Sequence, residues 1–341
     1  MMMIPGYAGL VFFCIICLIL YKCHPHCRLL PVDGKTVVIT GCDSGFGHEL
    51  VKHLDARGFT VFAGFLNEDG PGAKALKEHC SSNLSTLQLD VTKPEEIRKA
   101  YFYVKSKVNA RGLWGLVSNA GTVHFVCDGE LIPMSDYRKT LDVNFLGAVE
   151  VFKVFCPLLR KARGRFVTVT SLAGYIPLAG TVAYNASKAA MVKFAETVKE
   201  ELSIWGVKVA VVAPGGPFKT SIFHSNEELN YQAENIIKNL QPDVIEDYST
   251  EYINYWKDAI PALKANACES FTVVINDIYH ALMAEKPNYE YFPGKGAFHG
   301  KFIYHYCPGW VFNLLNPFKP KNLPLPAAIK KNLTDSRQCN S

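Results

Sequence analysis

Three residues of types that enzymes use for proton transfer lie close together in the sequence: Ser171, Tyr184 and Lys188. Tyr184 and Lys188 are one turn apart in the helix predicted over residues 182–205, so their side chains share one face. A tyrosine hydroxyl has an ordinary pKa near 10, and a neighbouring ammonium group lowers that pKa by favouring the phenolate. We therefore predict that Tyr184 is a general acid/base near neutral pH and that the hydroxyl of Ser171 holds a substrate oxygen.

A glycine-rich turn follows the first predicted strand and reads Thr40-Gly41-Cys42-Asp43-Ser44-Gly45-Phe46-Gly47. Glycines at a strand-to-helix turn let the backbone approach a pyrophosphate closely. The helix that follows then offers unpaired N–H groups and the positive end of its dipole. Such a turn also occurs for structural reasons alone, but its position after the first strand of an alternating pattern favours dinucleotide binding.

The end of the second predicted strand normally decides which nicotinamide dinucleotide is bound. An acidic residue there binds the ribose 2′-hydroxyl of NAD, whereas an arginine accommodates the 2′-phosphate of NADP. Residues 63–67 contain neither, although Glu68 and Asp69 follow closely. No lysine or arginine occurs in the glycine-rich turn or between Phe59 and Pro71. A 2′-phosphate would lack a partner, so the sequence predicts NAD rather than NADP.

Short apolar runs alternate with helical periodicity along the body of the chain, which predicts parallel strands joined by crossover helices. Strands are expected at residues 36–40, 60–63, 85–89, 113–117, 165–170 and 207–213, and helices at 94–108, 135–159 and 182–205. The predicted fold class is α/β, with a single Rossmann-type, doubly wound parallel sheet. Ligands bind at the carboxyl edge of such a sheet, where Ser171 and the glycine-rich turn both lie. This shared edge favours catalysis over a solvated helix face as the role of Tyr184 and Lys188.

After the sixth strand, residues 222–266 are polar and helical in pattern, with many Asn, Glu and Tyr residues. An insertion of this kind predicts a lid over a substrate cleft. We expect specificity to depend on this lid and on two segments near the strand ends, residues 123–127 and 175–181. In these parts the shape of the pocket matters more than residue type.

An apolar run occupies residues 4–21, and the first 21 residues contain no charged side chain. About 20 apolar residues span a bilayer, so this run predicts a membrane anchor. A secretory signal peptide is the alternative, but its basic n-region and small-residue cleavage site are missing. The basic residues after the run favour a cytoplasmic position for the rest of the chain.

The net charge of +5 belongs to the ends of the chain: residues 1–35 carry +2 and residues 316–341 carry +4, which leaves −1 on residues 36–315. A nearly neutral body lacks the basic surface that binds nucleic acid, so nucleic acid is not expected as a partner. Basic flanks are instead suited to anionic lipid. The aromatic segment 302–315 is too short to span a bilayer and is expected to lie against one.

The 11 cysteines are mostly scattered singly, which is typical of a reducing compartment with thiols used as apolar fillers. The stretch Cys23-His24-Pro25-His26-Cys27 looks like a metal clip. Four ligands crowded around a proline would, however, struggle to close a tetrahedron. No metal-ligand spacing connects the other histidines, so no metal site is predicted.

Several motifs occur together and in one order: TGCDSGFG at 40–47, SNAG at 118–121, Ser171, and YNASK at 184–188. Together they resemble the short-chain dehydrogenase/reductase family, whose members transfer a hydride between a nicotinamide cofactor and an alcohol or carbonyl. The resemblance covers about residues 35–300. Together with the apolar run and the basic flanks, the resemblance divides the chain into three parts. They are an anchor and basic juxtamembrane segment at 1–28, one dehydrogenase domain at 29–300, and a membrane-facing segment with a basic tail at 301–341.

The resemblance also implies roles for single residues. Tyr184 would be the acid/base, and Lys188 would lower its pKa and bind the nicotinamide ribose. Ser171 would position the substrate oxygen, and Asn144 would complete a proton relay through water. Contacts with the NAD cofactor are implied, besides Tyr184 and Lys188, for Gly41, Ser44, Gly45, Phe46, Gly47, Asp90, Val91, Asn119, Ala120, Gly121, Pro214, Gly215 and Thr220.

Thr220 departs from the family pattern. Four residues separate it from Pro214-Gly215, where the family has three. Its implied contact with the nicotinamide carboxamide is therefore left open.

Longer phrases resemble the hydroxysteroid dehydrogenases of this family: LLPVDGK at 29–35, GFTVFAG at 58–64, LNEDGPGA at 66–73, DGELIPMSDY at 128–137 and YFPGKGAF at 291–298. They imply NAD-dependent oxidation of a 17β-hydroxysteroid to a ketone, in a protein that crosses the endoplasmic reticulum membrane once. The implied partners are a steroid or similar lipid alcohol and membrane lipid, with a homodimer left open. The alternatives are a dehydrogenase of retinol or another lipid alcohol, and a non-catalytic NAD-binding membrane scaffold. The scaffold is disfavoured because all four catalytic residues are present.

Overall fold

The computed structural model describes residues 28–220, 222, 225–265, 267–316 and 323–338, together with Gly9 and Cys14. The predicted membrane anchor, apart from those two residues, and the Cys/His stretch at 23–27 lie outside this described part. Among the described residues, no helix combines the length and the apolar character needed to cross a bilayer.

The described residues form a sheet of seven parallel strands: β1 Thr36–Ile39, β2 Thr60–Phe65, β3 Leu84–Gln88, β4 Gly115–Ser118, β5 Arg165–Val169, β6 Lys208–Val212 and β7 Glu290–Tyr291. Their order is β3-β2-β1-β4-β5-β6-β7, which confirms the predicted doubly wound sheet. The order reverses between β1 and β4, so a crevice is expected at their carboxyl ends. Strand β7 was not predicted from the sequence, because its two residues are too few to show a period.

Helices cover both faces of the sheet, and others follow its last strands: α1 Gly45–Asp55, α2 Pro71–His79, α3 Pro94–Val108, α4 Met134–Leu141, α5 Ala148–Ala162, α6 Val182–Ser203, α7 Asn226–Asn239, α8 Pro242–Tyr248, α9 Thr250–Ala265, α10 Thr272–Met283, α11 Ala297–Tyr306, α12 Gly309–Leu315 and α13 Ala327–Gln338. Successive strand residues point to opposite faces. Val38 therefore joins one apolar core with Phe62 and Phe166, whereas Val37 joins the other with Leu54. Burial on both faces explains why the strands read as continuous apolar runs.

The helix predicted over residues 135–159 is interrupted by a π-helical turn, Asp142–Gly147, between α4 and α5. Gly147 lets this turn pack against the loop after β3, because a Cβ on it would lie 2.7 Å from the carbonyl oxygen of Val91. Turns of this kind frequently occur at functional sites. This one carries the buried side chain of Asn144.

The predicted insertion is helical and consists of α7, α8 and α9. Ser225 and Glu228 form a reciprocal capping box at the start of α7. The apolar residues of these helices form a separate core with the loop after β4: Phe125, Cys127, Leu131, Ile132, Leu229, Ala233, Ile236, Tyr252, Ile253, Trp256 and Ile260. A core of its own makes this insertion a packed layer rather than a loose loop.

Helices α11 and α12 cover the segment that follows β5, through Ala297 and Phe312 against Leu172 and Ile176. Their outer side carries what we call the aromatic patch: Phe298, Phe302, Tyr306, Trp310, Leu314 and Leu315, each at least half exposed. Large exposed apolar areas mark interaction surfaces. The membrane contact predicted for residues 302–315 stays a prediction.

Candidate active site

The glycine-rich turn is shaped by close backbone contacts. Gly41 has φ +71°, and a Cβ on it would lie 2.7 Å from the Cα of Ala120. At Gly47 a Cβ would lie 2.3 Å from the carbonyl oxygen of Gly41. The Asn119 amide closes the turn, donating to the carbonyls of Thr40 and Gly41, both at 2.9 Å. The start of α1 is thereby held open for a phosphate.

A cleft of about 680 Å³ opens beside this turn at the carboxyl edge of the sheet. Most of the predicted cofactor residues line it: Gly41, Ser44, Gly45, Phe46, Asp90, Val91, Asn119, Ala120, Gly121, Tyr184, Lys188 and Thr220. Five predicted site residues are not part of its lining: Gly47, Asn144, Ser171, Pro214 and Gly215. The lining also includes residues for which the sequence predicted no role, among them Asp43, Leu66, Thr122 and Lys139. His124 and Ile222 line it as well, and both belong to segments that were predicted to set specificity.

The structure brings Ser171 and Tyr184 together. Ser171 begins the short 3₁₀ turn Leu172–Gly174, where its Oγ accepts the N–H of Ala173 at 3.1 Å. The same side chain lies close enough to the Tyr184 phenol to lower the pKa of that group. Two hydroxyls are therefore placed next to the cleft, in reach of one substrate oxygen.

The pKa of Tyr184 shifts in the direction opposite to the one that was predicted from the sequence. Burial raises the pKa of Tyr184, and the hydrogen bond with Ser171 offsets this only in part. Lys188 is itself buried, which lowers its pKa to about 8. Its Nζ donates to the carbonyl of Val169 at 3.2 Å and lies 5.6 Å from the centre of the Tyr184 ring. The helical spacing correctly predicted that Tyr184 and Lys188 lie one turn apart in the same helix. It did not show that the Lys188 ammonium donates to a backbone carbonyl.

The side chain of Asn144 is fully engaged in the protein. Its Oδ1 accepts the N–H of Thr122 at 2.7 Å, and its Nδ2 donates to the carbonyl of Thr122 at 2.9 Å and to Ser187 Oγ at 3.0 Å. These bonds hold the loop after β4 against α6. The side chain thus helps to position α6, which carries Tyr184 and Lys188, and its part in a proton relay stays a prediction.

Pro214 and Gly215 connect the Ser171 turn to the start of α11. The Pro214 carbonyl accepts the N–H of Leu172 at 2.9 Å, and a Cβ on Gly215 would lie 2.4 Å from the Cβ of Ala297. The two residues therefore support the site from below the cleft rather than within its lining.

The residues just before Thr220, which include the extra one, pair with a later segment of the chain. Phe218 forms an isolated parallel bridge with Cys268, and the N–H of Lys219 donates to the Cys268 carbonyl at 2.9 Å. Thr220 is thereby brought into the cleft, where its Cβ and Cγ2 lie within 3.3 Å of a Cβ built on Gly45. The altered spacing thus leaves Thr220 at the cleft.

The loop after β3 forms another part of the cleft wall. Asp90 Oδ1 accepts the N–H and the hydroxyl of Thr92 at 2.9 and 2.7 Å, and the Asp90 N–H donates to Glu96 at 2.7 Å. These bonds hold the loop at the start of α3. Val91 and Val143 add apolar surface to the cleft, which suits a flat heteroaromatic ring.

The two segments predicted to set specificity meet under the helical insertion. The Cys127 N–H donates to the Gly180 carbonyl at 2.9 Å, which joins residues 123–127 to residues 175–181. Trp256 of α9 packs on Gly180, where a Cβ would lie 2.7 Å from the indole ring. The three parts therefore form one wall whose shape depends on their mutual packing.

Replacing Gly180 by alanine should lower the free energy of unfolding by more than backbone strain alone accounts for. Gly180 and Gly58 have nearly equal φ values, +79° and +82°, but a Cβ on Gly58 meets nothing within 4 Å. Alanine at such φ values costs about 1–2 kcal/mol, and overpacking adds about 1–3 kcal/mol. Urea unfolding of Gly180→Ala and Gly58→Ala measures the difference. Equal losses of unfolding free energy would show that Trp256 does not press on this position.

A partly buried polar group supports the turn that follows Ser171. The Tyr175 hydroxyl donates to Glu290 of β7 at 2.8 Å, and Lys301 of α11 donates to the other carboxylate oxygen at 2.5 Å. Burial, and then the Glu290 charge, raise the pKa of Tyr175, so the hydroxyl stays a donor. Lys301 also lies 4.4 Å from the centre of the Phe292 ring. These contacts tie the last strand and α11 to the catalytic edge.

The chain matches the family model described as short chain dehydrogenase over residues 35–230. It is 47% identical to estradiol 17-beta-dehydrogenase 2 of Mus musculus, over 92% of this chain and 82% of that protein. It is 41% identical to 11-beta-hydroxysteroid dehydrogenase type 2 of Homo sapiens, over 82% of this chain and 69% of that protein. It is also 40% identical to retinol dehydrogenase 7 of Mus musculus, over 78% of this chain and 82% of that protein.

Solved structures resemble the fold at low sequence identity. A short-chain dehydrogenase/reductase from Burkholderia phymatum in complex with NAD gives a TM-score of 0.68 at 19% identity, over 86% of this chain and 100% of that chain. A short chain dehydrogenase from Burkholderia cenocepacia in complex with NADP gives 0.62 at 20% identity, over 84% and 100%. At these identities the likeness establishes the fold alone.

Proposed function

The chain belongs to the short-chain dehydrogenase/reductase family and is an oxidoreductase like the hydroxysteroid dehydrogenases, and from this premise we propose that it oxidises the 17β-hydroxyl of a steroid to a ketone with NAD. The observation that carries the proposal is the placement of Tyr184 and Lys188 together in the lining of the cleft, with the Ser171 hydroxyl close enough to lower the pKa of Tyr184. The identity with estradiol 17-beta-dehydrogenase 2 along most of the chain supports the steroid class.

The cleft residues fit a nicotinamide dinucleotide. The glycine-rich turn leaves a cradle that a Cβ on Gly41 or Gly47 would disrupt, and α1 begins at this cradle. Val91 offers an apolar wall for the adenine, and Tyr184 lines the same cleft with the reactive group. NAD bound there would supply the hydride acceptor.

In the proposed oxidation the alcohol loses its O–H proton to the Tyr184 phenolate and the hydride on its carbinol carbon to the cofactor, which leaves a ketone. Ser171 holds the substrate oxygen while its hydrogen bond stabilises the phenolate. Lys188, held by the Val169 carbonyl, places an ammonium one turn away from Tyr184. The raised pKa of Tyr184 means that the phenolate forms at alkaline pH, so oxidation should accelerate as pH rises.

Replacing Ser171 by alanine should move the pH profile of oxidation upward. The hydrogen bond from Ser171 lowers the pKa of Tyr184, so its loss raises that pKa and confines the phenolate to higher pH. Hydrogen bonds to charged groups contribute about 1.5–3 kcal/mol, so the rate at about pH 7.5 should fall about 10- to 100-fold. The measurement is kcat against pH. A lower rate with an unchanged midpoint would show that Ser171 acts only on the substrate.

A substrate panel tests the proposed function directly. We expect purified protein with NAD to oxidise estradiol and testosterone with a kcat/KM at least about tenfold above that for a corticosteroid, retinol or 3-hydroxybutyrate. A preference for the corticosteroid would move the protein to the 11β class. Absence of turnover with every alcohol, despite binding of NADH, would favour the non-catalytic scaffold.

A retinoid is the second candidate substrate. The identity with retinol dehydrogenase 7 supports it. The same panel decides between the two, because a steroid and a retinoid compete for one cleft and the better substrate shows the higher kcat/KM.

Attachment to the endoplasmic reticulum membrane is part of the proposal, with residues 4–21 as a single span and the catalytic domain on the cytoplasmic side. The apolar run at 4–21, the basic residues after it and the exposed aromatic patch support it. The full chain should resist carbonate extraction from microsomes, whereas a chain lacking residues 1–28 should be released. Retention of the shortened chain after carbonate would refute this anchor, and protection of the domain from added protease would refute the cytoplasmic side.

A further inference from the structure

The turn that begins at Ser171 is short and closed by its own hydrogen bonds. Ser171 Oγ accepts the N–H of Ala173 at 3.1 Å, and the Leu172 carbonyl accepts the N–H of Tyr175 at 2.9 Å. Ser171 is the first residue of this 3₁₀ turn and Tyr175 the residue that ends it. Because so few residues separate them, a displacement of Tyr175 also displaces Ser171.

This turn is packed against two helices. Gly174 lies directly on α6, since a Cβ on it would be 2.9 Å from the carbonyl oxygen of Lys188. Leu172 belongs to the apolar cluster that includes Ala297 of α11. Tyr184 is on α6, so the seating of the turn on that helix decides how closely the Ser171 hydroxyl approaches the phenol.

The side chain of Tyr175 ties the end of the turn to a segment 115 residues later. Its hydroxyl donates to one oxygen of the Glu290 carboxylate at 2.8 Å, and Lys301 of α11 donates to the other oxygen at 2.5 Å. The Tyr175 ring meets Phe292 edge-on at 5.1 Å, and Lys301 Nζ lies 4.7 Å from the centre of the Tyr175 ring. One carboxylate therefore holds the turn with one oxygen and α11 with the other.

The charged pair that holds Tyr175 is largely shielded from water. The side chains of Lys301 and Glu290 are 19% and 27% exposed, so their attraction is screened less than that of a surface pair. Tyr289 beside Glu290 and Glu196 on α6 are the other titratable groups that act on the Tyr175 phenol. Burial, and then the Glu290 charge, raise its pKa, so the phenol stays a neutral donor across the pH range of an activity assay.

We propose that Tyr175 is a positioning residue, which holds the turn against α6 and so keeps the Ser171 hydroxyl in reach of the Tyr184 phenol. The Glu290–Lys301 pair supplies the fixed acceptor for its hydroxyl. Neither Tyr175 nor this pair is part of the cleft lining, so all three act through Ser171 rather than on the cofactor. The inference rests on the proposed alcohol oxidation and adds the group that fixes Ser171.

The test is kcat against pH in Tyr175→Phe, with NAD and the alcohol that the wild type oxidises fastest in the substrate panel. The variant keeps the ring and loses the bond to Glu290. Its midpoint should move upward by at least about 0.5 pH unit, because a displaced Ser171 stabilises the Tyr184 phenolate less. At about pH 7.5 the rate should therefore fall at least about threefold, while the Kd for NADH stays within about twofold.

Tyr289→Phe is the matched control. It deletes a buried hydroxyl one residue away from Glu290, and this hydroxyl has no hydrogen-bond partner in the part of the chain that the structure describes. Its pH midpoint should equal that of the wild type. A lower melting temperature in Tyr175→Phe with an unchanged midpoint would mean that Tyr175 serves stability only, and it would overturn the inference.

Combination with Ser171→Ala shows whether Tyr175 acts through Ser171. In that background Tyr175→Phe should not move the midpoint further, because the hydroxyl that it positions is gone. Equal shifts in both backgrounds would overturn the inference and leave the proposed function intact. Absence of turnover by the wild type with every alcohol would overturn the proposed function, and the inference with it.

Lys301 provides an independent pair of variants if Tyr175→Phe does not fold. Lys301→Met removes the ammonium and keeps an unbranched side chain, so Glu290 loses its tie to α11 and the midpoint should again move upward. Lys301→Arg keeps the charge and can donate to the same carboxylate, so its midpoint should return to that of the wild type. An unchanged midpoint in Lys301→Met, or no recovery in Lys301→Arg, would contradict the inference.

Discussion

Replacement of Tyr184 by phenylalanine is expected to reduce kcat for alcohol oxidation by at least about 1,000-fold, because the change removes the group that accepts the proton. General acid/base catalysis contributes about 10²–10⁴-fold, and no neighbouring side chain substitutes here. Ser171 has an ordinary hydroxyl, and Lys188 donates to the Val169 carbonyl. The measurement is steady-state turnover with NAD across the pH range in which the wild type is active.

The affinity for NADH distinguishes lost chemistry from lost structure in this variant. Phenylalanine keeps the ring that lines the cleft, so the Kd for NADH should stay within about twofold of the wild type. Tyr231→Phe is the matched control, since it deletes the same hydroxyl from a side chain that is 71% exposed on α7. If Tyr184→Phe oxidised steroids as fast as Tyr231→Phe, the assigned mechanism would be wrong.

Gly47→Ala is expected to weaken NADH binding about 100-fold. The added Cβ would lie 2.3 Å from the Gly41 carbonyl oxygen and 2.6 Å from Asn119 Nδ2, so it collides with the two groups that shape the turn. Overpacking of this kind costs about 1–3 kcal/mol, and a 100-fold change in Kd corresponds to about 2.7 kcal/mol. Calorimetry with NADH gives the affinity, and thermal unfolding gives the accompanying loss of stability.

Gly309→Ala is the control for this substitution. Gly309 begins α12, and a Cβ on it meets nothing within 4 Å. It should therefore bind NADH like the wild type. Unchanged NADH affinity in Gly47→Ala would mean that the glycine-rich turn is not the phosphate cradle, whatever its resemblance to one.

The candidate catalytic residues could be predicted from the sequence because their signals are local. Tyr184 and Lys188 lie at helical spacing, and Ser171 follows an apolar strand. The strands were predictable for a related reason: in a sheet buried on both faces, each strand reads as an unbroken apolar run. The missed strand β7 has two residues, Glu290 and Tyr291, and gives no such run.

Other features depend on contacts between distant segments. The π-helical turn requires Gly147 to meet the loop at Val91, which no periodicity in the helix itself reveals. The wall under the helical insertion joins Cys127, Gly180 and Trp256, which are far apart in the chain. All three residues lie in segments that were predicted to set specificity, but the contacts between these segments were visible only in the fold.

The sequence alone determined the doubly wound sheet, the family and the candidate catalytic residues, because residue type and short-range spacing specify secondary structure and motif chemistry. Tertiary structure decided the electrostatics. It showed that burial raises the pKa of Tyr184 and lowers that of Lys188 to about 8. It also placed Asp43, rather than Glu68, at the end of β2 beside the cleft. Desolvation and charge proximity depend on which distant segments surround a group, and only the folded chain fixes those neighbours.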